Sequence, residues 1–190
     1  MKHGLAIIFT ALRLLALACA CAALPAQADD YADVSQLLRS GKLAEAAIKA
    51  DSYLVAKPRD PQMRFLKGVI ERSAGKVNEA ITTLTQLTQD YPELAEPYNN
   101  LAVLYAGQGQ LDKARAALEM AIRANPDYVT AHENLGDVYV RLASQAYDRA
   151  MQIDSASASV PAKLALIRAI PISSAQDGKV ATPRPADTQR

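Results

Sequence analysis

Cysteine is scarce in this chain, with only Cys19 and Cys21 among 190 residues, both near the N-terminus. Tryptophan is absent, phenylalanine occurs twice, and the two histidines are His3 and His132. Charge of neither sign dominates, since 21 Lys and Arg face 20 Asp and Glu. These shortages exclude whole classes of function. Without a net field, nothing recruits nucleic acid or an anionic membrane over the whole surface. With so little Cys and His, a transition-metal site would need carboxylates alone, so no metal or other cofactor is expected. No Gly-x-x-x-x-Gly-Lys-Ser/Thr run is present to cradle a phosphate. The apolar half of the composition, poor in bulky aromatics and rich in Ala and Leu, favours closely packed helices over sheets.

The N-terminal residues form a distinct segment. Lys2 and Arg13 accompany an apolar stretch through Leu24, Pro25 interrupts it, and Ala26-Gln27-Ala28 places small residues before Asp29-Asp30. A positive start, an apolar middle and a small-residue exit predict a secretory signal peptide over residues 1–28 and a periplasmic destination. Cleavage there removes Lys2 and Arg13 and no acid, so 21 basic residues become 19 against 20 acidic ones. It also removes both cysteines, leaving no thiol or disulfide chemistry. The alternative is an uncleaved membrane anchor facing the periplasm. Arg13 opposes it, because a charge mid-span costs roughly 2.5–3.5 kcal/mol.

What fills the rest of the chain is a repeat. Gly41, Gly75 and Gly109 lie 34 residues apart, as do Ala46, Ala80 and Ala114, and Pro58, Pro92 and Pro126. Glycine at a helix end supplies the left-handed residue that no Cβ obstructs. After it runs an apolar stripe at helical spacing, Val77, Ala80, Ile81, Leu84 and Leu87 in one copy and Leu111, Ala114, Leu118, Ala121 and Ile122 in the next. The shared Ala marks a close approach of two helix backbones, and Pro marks the turn into the following unit.

These residues resemble the tetratricopeptide repeat, a helix-turn-helix unit of 34 residues. In Ala95–Tyr128, Tyr98, Leu101, Ala102, Tyr105, Ala114, Leu118, Ala121 and Pro126 fall at the family's eight signature positions. The unit before it matches at Gly68, Ala80, Leu84, Leu87 and Pro92 and departs at Arg64, Lys67 and Glu71, while the first copy matches through Gly41, Ala46 and Pro58. The resemblance implies an all-α solenoid whose first helices line a concave groove for a protein or peptide partner. Carried over by position, that groove would be lined by Phe65, Val69 and Arg72, then by Asn99, Asn100 and Val103, then by Glu133, Asn134, Asp137 and Arg141. Asparagine both donates and accepts, which suits the backbone of an extended peptide. The subtype that clamps chaperone tails is not expected, because the first two repeats offer no matching Lys and Asn pair.

The fourth copy is shortened. His132, Leu135, Gly136 and Tyr139 keep the 34-residue spacing, but Ala146 and Ala150 follow Ala117 and Ala121 by only 29. The missing residues are the turn, so one uninterrupted helix is predicted from about Thr130 to Ile153. His132, at a large-residue signature position, is expected to be a packed structural imidazole rather than a catalytic or metal-binding group. Pro161 to Ile170 reads as a helix capping the open end of the solenoid. The expected organisation is therefore repeats at 29–60, 61–94, 95–128 and 129–155, a capping helix at 160–170 and a disordered polar tail at 171–190. No enzymatic constellation emerges. The functional expectation is an adaptor or assembly factor binding protein in the groove, with a homo-oligomeric scaffold as the alternative.

Overall fold

The computed structural model describes residues 26–172, and the elements within them are all α-helices. In chain order they are α1 (Ala26–Arg39), α2 (Leu43–Ala56), α3 (Pro61–Ser73), α4 (Val77–Asp90), α5 (Ala95–Gly107), α6 (Leu111–Ala124), α7 (Val129–Ile153) and α8 (Val160–Arg168). The expected signal peptide, up to residue 25, and the tail from residue 173 lie outside the described residues. Helix α1 starts at Ala26, so the expected boundary after residue 28 falls inside its first turn.

The three short turns are built alike. Gly41, Gly75 and Gly109 each have φ of +73°. The amide that follows each glycine bonds back five residues, Lys42 to Leu37, Lys76 to Glu71 and Gln110 to Tyr105, at 2.9 Å in every case. This is the six-to-one bond that satisfies helix-terminal carbonyls when the chain turns left-handed. The other junctions end on Lys57, Tyr91 and Asn125, with φ of −134°, −138° and −142°. Each precedes a proline, whose ring disfavours the helical region for the residue before it.

Successive helices pack antiparallel, and the first helices also touch one another, α1 to α3, α3 to α5 and α5 to α7. They form an inner layer, with α2, α4 and α6 outside. Alanines 46, 80, 114 and 121 are wholly buried where backbones approach, and Leu84, Leu87 and Leu118 fill the spaces between. The departures at Arg64 and Lys67 are absorbed by ion pairs, Arg64 to Asp90 at 2.7 Å and Lys67 to Asp51 at 2.6 Å. Glu71 has no such tie, and its Oε2 is buried without a hydrogen-bond partner.

Helix α7 runs unbroken for 25 residues, about 37 Å at 1.5 Å each, through the place where earlier repeats turn. Its middle, Arg141 to Gln145, carries neither Gly nor Pro, so nothing interrupts the hydrogen-bond ladder. One expectation fails here. His132 is exposed, and its Nε2 lies 2.9 Å from the Pro126 carbonyl oxygen. The second helix that would fold back over this part of α7 continues straight instead, so the imidazole meets only the preceding turn. Helix α8 packs against α7, with Leu164 buried and Arg168 bonded to Asp148 at 2.7 Å.

Candidate protein-binding groove

Phe65, Val69 and Arg72 recur at steps of four and three along α3, so they share one face of that helix. Asn99 and Val103 hold the equivalent face of α5, and Glu133, Asp137 and Arg141 form a stripe at steps of four on α7. Phe65, Val69 and Val103 are buried, which makes the middle of the inner layer a filled floor rather than a cleft.

The asparagines are engaged within the protein. Asn134 Nδ2 donates to Asn99 Oδ1 at 2.8 Å, joining α7 to α5. Asn100 is wholly buried and donates to the Glu96 carbonyl one turn back at 3.0 Å. Its Oδ1 is buried without a partner. Asn134 and Asn99 therefore tie α7 to α5, Asn100 bonds within its own helix, and burial withdraws all three amides from the surface.

The solvent-facing chemistry comes from four charged residues. Arg72 is half-buried, and burial pulls its guanidinium below the usual arginine range. Its Nε is buried without a hydrogen-bond partner. Arg141 Nη2 donates to the Ala106 carbonyl at 3.0 Å, and Asp137 and Arg141 are half-exposed beside exposed Glu133. Such a surface offers charged contacts at its edges and a flat apolar floor between them.

Sequence reasoning named no groove residue from α1, yet a polar knot fixes that helix to the next repeat. Tyr31 Oη lies 2.8 Å from Tyr53 Oη and donates to Asp60 Oδ2, while Asp60 Oδ1 accepts from the Met63 amide at 2.7 Å as the cap of α3. Tyr53 occupies the position that Leu87 and Ala121 hold in later repeats, and Tyr31 that of Phe65 and Asn99, but spacing carries no measure of the hydrogen bonds that join them. Among the described residues no three of His, Cys, Asp and Glu are grouped to hold a metal ion. No helix among them is long and apolar enough to cross a membrane.

Comparison with known proteins agrees with this architecture. Two family models, both described as tetratricopeptide repeat, match residues 26–95 and 71–135. The tetratricopeptide repeat domain-containing protein PYG7, chloroplastic, of Arabidopsis thaliana is 41% identical over 70 residues, covering 34% of this chain and 23% of that protein. The Photosystem I assembly protein Ycf3 of Prochlorococcus marinus (strain MIT 9211) is 23% identical over 116 residues, covering 60% of this chain and 66% of that one. The chain thus spans less than two thirds of either relative. Among solved structures, MamA aligns with a TM-score of 0.54 at 22% identity over 70% of this chain and 81% of MamA, a likeness of fold. Repeat spacing, turn geometry and two overlapping family matches lead to one assignment: the chain belongs to the tetratricopeptide-repeat proteins.

Proposed function

We propose that the chain is a periplasmic adaptor or assembly factor that holds a segment of another protein against the inner layer of its solenoid. The observation that carries this reading is the stripe of Glu133, Asp137 and Arg141 on α7, open to solvent at one end of a layer otherwise filled by apolar and amide side chains. Tetratricopeptide proteins are generally non-enzymatic scaffolds that bind protein. The likeness to an assembly protein, Ycf3, supports the assembly role. The apolar leader with its small-residue exit supports export.

The test is affinity capture from the periplasm, comparing the wild type with the double variant Arg72→Glu/Arg141→Glu. Loss of at least one specific partner by tenfold or more is expected. Equal recovery of every captured protein removes the inner-layer assignment. Mass spectrometry of the purified protein addresses export, with Asp29 expected as first residue. An intact Met1 points instead to a membrane-tethered form.

A further inference from the structure

Four residues of α7 occupy positions that the preceding repeat buries or half-buries, and all four are exposed. Ala95 is 3% exposed and Tyr98 9%, whereas their counterparts 34 residues on, Val129 and His132, are 75% exposed and exposed, respectively. Ala102 is buried, whereas Gly136 is exposed. Tyr139 is 49% exposed where Tyr105 is half-buried. The glycines show what is missing. A Cβ on Gly68 would meet Leu84 of α4 at 2.8 Å, because Leu84 sits directly on that glycine. A Cβ on Gly136 would meet nothing within 4 Å. The N-terminal half of α7 is thus a seat for a helix that presents a leucine between small residues, and it is uncovered.

Helix α8 and the turn that ends it carry such a face. Ala162, Ala165 and Leu166 of α8, with Ala169 and Ile170 just beyond it, repeat Ala114, Ala117, Leu118, Ala121 and Ile122 of α6 at a constant offset of 48 residues. In α6 those alanines and Leu118 are buried, but in α8 Leu166 is 73% exposed and Ile170 44%. On the opposite face of α8, Leu164 is buried against its own α7. A helix that is apolar on both sides is suited to be packed on both. Among the described residues, its own chain does not supply the second side. Lys163 and Arg168 anchor α8 beside Tyr147 and Asp148, and nine residues span only about 13 Å, so α8 stops short of Gly136.

We propose that the chain pairs with a second copy of itself, the outward face of α8 in each copy covering the N-terminal half of α7 in the other. A twofold axis perpendicular to α7 satisfies both halves at once. It sets two α7 helices antiparallel and sandwiches both α8 helices between them, so the same patch is used on each copy. In this arrangement α8 lies parallel to the α7 it covers. The face tolerates that direction, because Ala162 and Ala169 flank Leu166 on either side. This surface lies apart from the charged stripe of the groove, and the inference stands or falls independently of it.

The test is light scattering on the full chain over a concentration series. The wild type is expected at twice the mass of its single purified chain. Leu166→Asp and Gly136→Leu are each expected to be monomeric with unchanged helix content, since both positions are open to solvent in the single chain. An equimolar mixture of the two variants is expected to recover dimer, because one intact α8 then meets one intact seat. A wild type that stays monomeric at every concentration overturns the proposal. So do variants that dimerise as the wild type does, or a mixture that stays monomeric. A monomeric wild type whose thermal stability falls with Leu166→Asp would show instead that α8 folds onto its own chain, which equally overturns the pairing.

Discussion

Asn134 on α7 and Asn99 on α5 meet amide to carbonyl at 2.8 Å, both buried between the first helices of neighbouring repeats. One repeat earlier the same two positions hold Phe65 and Asn100, and there the asparagine has lost its partner. Replacing Asn99 by Leu strands the buried Asn134 amide and should cost about 1–3 kcal/mol. Replacing Asn100 by Leu removes an acceptor that is already unsatisfied, along with one bond inside its own helix, and should change stability by less than about 1 kcal/mol. Urea unfolding measures both. A double-mutant cycle over Asn99→Leu and Asn134→Leu should give a coupling on the order of 0.5–3 kcal/mol, and additive effects would dismiss the pair as a structural tie.

Two glycines at equivalent repeat positions should respond oppositely to alanine. At Gly68 the new methyl collides with wholly buried Leu84, so overpacking should destabilise by about 1–3 kcal/mol. At Gly136 the methyl enters open space in the single chain, so in the monomeric Leu166→Asp background reduced backbone freedom in the unfolded chain should stabilise by about 0.5–1 kcal/mol. Thermal melts of both glycine variants in that background decide the matter. A loss at Gly136 matching that at Gly68 would mean that a helix of the same chain covers α7.

Much of the fold was legible because three residue types hold one period, and the physics behind each is local. Gly109 turns left-handed, Ala114 admits a neighbouring backbone and the residue before Pro126 cannot stay helical, whatever surrounds them. The unbroken α7 was legible for the same reason, since a turn needs residues that are absent there. The groove was less legible. Spacing assigns Asn99, Asn100 and Asn134 to first helices, but it carries no measure of how tightly consecutive first helices close on one another. That closure buries the amides. The exposure of His132 follows from that missing turn, because the second helix that would fold back over it runs on as the rest of α7.

The tyrosine knot should make the first repeat sensitive to alkali. Burial, followed by the hydrogen bonds to Asp60 and Tyr53, raises the Tyr31 phenol well above its ordinary value near 10. Above that value the unfolded chain releases this proton while the folded chain keeps it, so folding stability falls as pH rises. The contribution is complete below about pH 10 and fades above it. Tyr31→Phe removes the titrating group, and its melting temperature should decline less between pH 9.5 and pH 11 than that of the wild type. Parallel declines would show that Tyr31 is not the group responsible.

Arg72 should tie stability to the proposed binding. Its guanidinium is partly desolvated, its Nε–H has no acceptor, and no acid lies within ion-pair distance of it among the described residues. Such a group weakens the isolated fold, since an unsatisfied buried donor costs about 1–3 kcal/mol before any relaxation. Arg72→Met keeps the aliphatic stem and removes both the charge and the orphaned donor, so stability should rise on the order of 1 kcal/mol. If the guanidinium is held in readiness for a partner, the same substitution should weaken capture of that partner by tenfold or more. Stability and binding would then move in opposite directions, as expected where an active surface is kept at a cost to the fold. A destabilised Arg72→Met protein would mean that the arginine already serves the fold, and undiminished capture would remove it from the binding surface.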